Sequence, residues 1–157
     1  KKGYNIQLDL IGNIDKKFSF FFYQQLKNLN LIKNINLIGH LGKDQLVEIL
    51  KKNNVTIFPS KFETFGISLL ESMASSKLIL CSNTSAMPEI LGDAGLYFDP
   101  DNSDSIAKCI ENLFDENFNY TQFTKRAYNK AKNYSWKKCS DETFNFIRFI
   151  NEKNFNN

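Results

Sequence analysis

The sequence is poor in the residues that mark several protein classes. It has three cysteines, Cys81, Cys109 and Cys139, widely spaced and without a CxxC pair. That excludes a disulfide-stapled miniprotein and suits a reducing compartment. Arg126 and Arg148 are its only arginines, and the remaining basic residues are lysines scattered along the chain. Bidentate recognition of phosphates and bases favours Arg, so nucleic acid is not an expected partner. No apolar run reaches the roughly 18 residues that span a bilayer, and no secretory-leader pattern opens the chain. Neither a GxGxxG fingerprint nor a GxxxxGK[ST] loop occurs, which removes the usual dinucleotide oxidoreductases and P-loop enzymes.

What is present is the composition of an ordinary folded domain: 157 residues, 42% hydrophobic, 24% charged, with a net charge of +3. This excludes a disordered tail and is long enough to bury a core. Residues 1–157 read as a single domain. The run from Asn5 to Gly12 alternates and then turns apolar, as a buried strand does, and helical spacing follows from Phe18 to Leu31. Strands are predicted at 35–39, 55–58 and 78–81, with a very short one at 96–98. Helices are predicted at 43–52 and 67–75, and from Ser103 onward the pattern is helical throughout (103–114, about 118–133, 135–151). Strand–helix alternation of this kind gives an α/β fold: a Rossmann-like parallel sheet with helices on both faces and a helical C-terminal end.

Ligands of such sheets bind at the carboxyl ends of the strands. The informative stretch there runs from Pro59 to Ala74. Gly66 lets backbone approach a ligand, and the N–H groups of Gly66, Ile67, Ser68 and Leu69 would point out of a helix N-terminus, an anion site. Glu63 precedes that turn and Glu71 follows about one helical turn in. An ionised carboxylate is acceptor-only and can grip the vicinal hydroxyls of a sugar or ribose. Ser68-x-x-Glu71 is also a capping-box pattern, in which the Glu only ties the helix start; on local pattern both readings stand.

The order of motifs resembles the family-4 ("group 1") glycosyltransferases of the GT-B fold. Glu63 and Glu71 match the two ends of their E-x7-E motif, around Phe65-Gly66. Ile35–Gly39 with His40-Leu41 resembles a strand end of that family, Pro88–Gly95 (PEILGDAG) its P-E-V-x-G-D-A-G segment, and Tyr134-Ser-Trp136 the F-S-W that opens its last helix. The resemblance covers about Gln7 to Phe149. It implies transfer of a sugar from a nucleoside-diphosphate donor to a glycan, lipid or other acceptor, with retention of configuration and no cofactor or essential metal. It implies that Glu71 binds the ribose and that Glu63, the catalytic candidate, contacts the donor hexose. Thr64, Phe65, Gly66, Ile67, Ser68 and Leu69 would line the donor site, their amides holding the diphosphate, and His40 and Leu41 would face the base.

Two substitutions, Thr64 and Ser68, stand where the family often has Gly and Pro. The family's first strand–helix unit, with its Gly-Arg and Lys, has no counterpart before Gln7. The expected object is therefore an N-terminally truncated donor domain, inactive alone, whose acceptor domain is supplied in cis or by a partner chain. Either the absent strand leaves a gap, or Gln7–Ile11 pairs directly with Val55–Phe58. The alternative function is a non-catalytic nucleotide-sugar-binding module working with a partner chain; an epimerase fits the Glu63–Gly66 stretch less well. The expected location is cytoplasmic, with peripheral contact at the inner membrane face as an option.

Other residues carry simpler readings beside functional ones. Lys43 and Lys61 lie near strand tips, where they either replace the absent cations or are solvated. His40 is either a base contact or a surface residue. Ser82–Ser85 either offers hydroxyls to a ligand or is a plain loop. The stripe Trp136, Phe144, Ile147 and Ile150 reads as core packing by default. The resemblance offers an alternative, since the family's last helix crosses back to the N-terminal domain and part of the stripe would then be an exposed sticky patch in the isolated chain.

Overall fold

The computed structural model describes residues 3–155, and the chain divides into two compact units, 1–49 and 50–157. In the first, β1 (Leu8–Ile11) pairs in parallel with β2 (Ile35–Gly39), from Leu8 opposite Ile35 to Ile11 opposite Gly39. The strand is shorter than the Asn5–Gly12 run and half-buried rather than buried. Between the strands lies α1 (Lys16–Asn28), whose start is fixed by Asp15: its carboxylate accepts from the N–H groups of Lys17 and Phe18 at 2.9 and 3.1 Å. The helix stops at Asn30, which adopts a left-handed φ of 60°, while Leu31 N–H donates to the Leu26 carbonyl at 2.8 Å. That is a Schellman ending with Asn in the place usually held by Gly.

Helix α2 (Lys43–Lys52) spans the boundary between the units and carries buried Leu50 in its last turn. The second unit has a three-stranded parallel sheet in the order β3 (Val55–Phe58), β4 (Leu78–Ser82), β5 (Leu96–Phe98). Among the described residues β1 pairs with β2 in the first unit, and β3 pairs with β4 in the second.

Every residue of β4 is buried, as expected of a parallel strand covered on both faces. Its alternate side chains divide the core in two. Ile79 and Cys81 join Leu69, Met73, Met87, Leu91 and Ala127 on one face, and Leu80 joins Phe98 and Cys109 on the other. The first face is covered from α3 (Ile67–Ala74), α4 (Met87–Leu91) and α6 (Tyr120–Ala131), the second from α5 (Ser103–Glu111). Helix α4 was not foreseen from sequence, although Pro88 near its start and Gly92 after its end are the usual punctuation.

The PEILGDAG segment is scaffold. Gly92 takes a φ of 59°, Tyr97 Oη donates to its carbonyl at 2.7 Å, and Lys130 Nζ donates to the Glu89 carbonyl at 3.3 Å. Asp93 pairs with Arg126 at 3.3 Å. Gly95 packs so tightly on β4 that a Cβ would lie 2.6 Å from the Ile79 carbonyl oxygen.

The last helix, α7 (Trp136–Phe155), runs one turn beyond the expected end. Its apolar stripe is not core: Trp136 is 81% exposed, and Phe144 and Ile147 also face outward. Periodicity revealed an amphipathic helix, and the residues described supply no surface to cover its apolar face. Among the described residues no helix is long and apolar enough to cross a membrane.

Candidate functional site

The site begins where β3 ends. Pro59 halts the strand, and residues 59–66 cross the strand tips before α3 starts. The crossing is fastened to the loop after β4. Ser82 Oγ, wholly buried, donates to the Ser60 carbonyl at 2.6 Å, and Thr84 Oγ1 donates to the Lys61 carbonyl at 3.1 Å. Ser85 Oγ donates to the Glu63 carbonyl at 2.6 Å and accepts from the Glu63 N–H at 3.1 Å. These hydroxyls therefore hold backbone, and the reading of Ser82–Ser85 as ligand-facing is corrected on that ground.

Gly66 then turns the chain into α3. Its φ of 89° is left-handed, and a Cβ there would sit 3.1 Å from Met87 Cε, so both backbone and packing favour glycine. Because Gly66 is the N-cap, Ser68 is the second residue of the helix and makes no capping hydrogen bond. The capping-box reading of Ser68 and Glu71 fails on this geometry, since the box needs Ser at the cap itself. Among the described residues the carboxylates of Glu63 and Glu71 have no hydrogen-bond or ion-pair partner; Glu71 uses its carbonyl, which accepts from Ser75 Oγ at 2.9 Å.

The expected amide set needs one correction. Leu69 N–H donates to the Gly66 carbonyl at 3.0 Å, and the Leu69 side chain is wholly buried, so this residue serves the core. Among the described residues the N–H groups of Gly66, Ile67 and Ser68 are left without a protein acceptor, which is the ordinary state of a helix start and suits an anion.

Residues Glu63–Ser68 form one wall of a cleft of about 980 Å³. The other wall comes from the end of α6 and the start of α7, including Lys130, Tyr134, Trp136, Lys138 and Glu142. Sequence reasoning had Tyr134-Ser-Trp136 as a motif only and missed this wall; a stripe of exposed aromatics and charges gives no signal of what it faces. Glu71 is half-buried and lies outside the cleft lining.

Lys61 pairs with Asp101 at the surface and is not a free cation. Lys43, His40 and Leu41 belong to the first unit: Lys43 opens α2, and His40 and Leu41 follow β2, His40 exposed and Leu41 half-buried. Two of the three thiols, Cys81 and Cys109, are buried and poor nucleophiles. Burial pushes the Cys81 thiol up to about 12 and also raises Cys109. Among the described residues no three His, Cys, Asp or Glu side chains group to hold a metal ion.

Residues 1–132 match the glycosyl transferases group 1 family. The chain belongs to that family. It is 32% identical over 117 residues to O-antigen chain mannosyltransferase B of Escherichia coli, a match covering 74% of this chain and 30% of that protein. The chain thus spans about a third of the length of this curated relative. Among solved structures, the C-terminal domain of a group 1 glycosyl transferase from Francisella tularensis superposes with a TM-score of 0.66 at 18% identity, covering 82% of this chain and 85% of the other. Anabaena HepE, crystallised with UDP and glucose, superposes with a TM-score of 0.74 at 17% identity over 81% of this chain and 36% of its own. The fold is that of GT-B glycosyltransferase C-terminal domains, parallel sheets flanked by helices.

Proposed function

We propose that this group 1 glycosyltransferase chain is the donor-binding part of an enzyme that moves a sugar from a nucleoside diphosphate to a glycan or lipid acceptor, with retention of configuration. One observation carries the reading. The left-handed turn at Gly66 sets the unpartnered Glu63 carboxylate and the free amides of Gly66, Ile67 and Ser68 along one cleft wall. In this reading the amides hold the diphosphate, Glu63 accepts from hydroxyls of the donor hexose, and Glu71 accepts from the ribose. His40 and Leu41 are assigned to the base on family resemblance alone. UDP in the HepE structure supports a nucleoside-diphosphate ligand for the fold.

The chemistry asks chiefly for stabilisation of charge developing on the departing diphosphate. Amides at a helix start are pre-oriented for that, and the helix dipole adds to them. Glu63 then orients the sugar rather than acting as one of a hydrolase's acid–base pair. The acceptor side and the cations that would complete charge neutralisation are assigned elsewhere in the working enzyme, so residues 1–157 alone are expected to bind donor without turnover. Calorimetric titration with UDP, GDP and ADP tests this directly. Saturable binding of one names the base; no binding by a chain shown to be folded sinks the donor-site reading.

A further inference from the structure

We propose that Ser85 is a positioning residue for the donor sugar, acting through the backbone of Glu63; the inference rests on the donor-site reading above. Ser85 has a left-handed φ of 56°, a conformation uncommon for residues other than glycine and maintained where surrounding contacts require it. In this conformation its side chain meets Glu63. One hydroxyl serves both polar groups of a single residue, donating to the Glu63 carbonyl at 2.6 Å and accepting from its N–H at 3.1 Å. Ser82 and Thr84 hold the carbonyls of Ser60 and Lys61 just upstream, so the chain is fastened at three of the four residues from Ser60 to Glu63. Ser85 itself is not part of the cleft wall, whereas Glu63 is.

The consequence follows from how binding energy depends on order. A carboxylate on a free loop must lose backbone freedom when it meets a ligand, and that loss is subtracted from affinity. With its N–H and carbonyl both tied, Glu63 keeps only side-chain torsions to settle. Ser85 thereby sets both the height of Glu63 above the strand tips and the entropy of its engagement with the hexose. The diphosphate, held by amides of α3, does not depend on this tie.

The test uses matched ligand pairs, UDP with UDP-glucose and GDP with GDP-mannose, titrated into the wild type, Ser85→Gly, Glu63→Ala and the double variant. Glycine accepts the left-handed backbone, so Ser85→Gly removes the hydroxyl without adding strain. The expected result is nucleoside-diphosphate affinity within about twofold of wild type and a loss of about tenfold in affinity for the sugar nucleotide, the scale of one polar contact. The double variant should bind no worse than Glu63→Ala, because the two residues act in series. Amide hydrogen exchange gives a ligand-free readout: the Glu63 N–H should be protected in wild type and exchange faster in Ser85→Gly. Full retention of the sugar increment in Ser85→Gly, additive losses in the double variant, or unchanged exchange at Glu63 would each overturn the proposal. Failure of the wild type to bind any nucleoside diphosphate would instead overturn the donor-site reading, and the positioning role with it.

Discussion

The ring of Phe65 meets that of Tyr134 edge-on, with centroids 5.7 Å apart and planes inclined at 71°. The contact joins the loop before α3 to the turn between α6 and α7, and Tyr134 in turn packs against the core cluster built on Ile79 and Cys81. The two cleft walls therefore share a floor anchored in the sheet. Edge-to-face pairs add about 0.5–1.5 kcal/mol beyond simple burial, enough to bias the loop toward one arrangement.

Removing the Glu71 carboxylate should separate binding from stability. Since Glu71 does not cap α3, Glu71→Ala is expected to leave the melting temperature near wild type. Nucleoside-diphosphate binding should weaken by about 1–3 kcal/mol as hydroxyl contacts are lost. Calorimetry beside a thermal melt checks both; a lowered melting temperature with unchanged affinity would restore the capping role.

Gly66→Ala should affect both properties together. An alanine at a φ of 89° is strained, and its Cβ would press on Met87 Cε at 3.1 Å. The expected cost is about 1–3 kcal/mol of stability, with diphosphate affinity falling as the helix start is displaced. A variant that melts like wild type would show that the turn is not needed in this form.

Gly95 and Gly42 make a contrasting pair. A Cβ on Gly95 would lie 2.6 Å from a β4 backbone oxygen and 2.7 Å from Leu91 Cδ2, so Gly95→Ala should cost about 1–3 kcal/mol or more. A Cβ on Gly42 would meet nothing closer than Gln45 Oε1 at 3.7 Å, and Gly42→Ala should stay within about 0.5 kcal/mol. Urea midpoints of the two variants measured side by side decide it.

Alkali should destabilise the second unit, where Cys81 and Tyr97 lie. Burial raises the Cys81 thiol from 9.0 to about 12 and the Tyr97 hydroxyl from 10.0 to about 12, the latter helped by the nearby Cys81 and Asp93. The folded chain thus keeps protons that the unfolded chain releases. Stability is flat with respect to these groups below pH 9 and falls as pH rises through 9 to 12. Urea midpoints at pH 7, 9 and 10 should show this decline, and Cys81→Ala should make it shallower. An equal slope in the variant would remove Cys81 from the account.

The strands and helices that build the sheet were legible because each is declared by local chemistry. The apolar run Leu78–Cys81 reads as a doubly covered strand, Pro59 ends its neighbour, and Gly66 marks the turn into α3. What was not legible depends on partners distant in sequence. A serine hydroxyl at position 85 has the same appearance in sequence whether it faces a ligand or a carbonyl 22 residues away. Asp101 as the partner of Lys61 lies beyond any local pattern. Leu69 was counted with its neighbours at the helix start, and its tight bond back to Gly66 removed it from the set. The stripe on α7 announced amphipathicity without saying what, if anything, covers it.

Cysteine placement offers a practical consequence. Cys81 and Cys109 are buried, while Cys139 is exposed on α7 and lines the cleft opposite Glu63. A maleimide dye added to the unaltered chain would therefore attach at one position, on the rim of the cleft proposed above to take the donor. On the donor-site reading, Cys139 is a built-in attachment point for a fluorescence sensor of cleft occupancy, and no residue of the loop before α3 need be changed to use it.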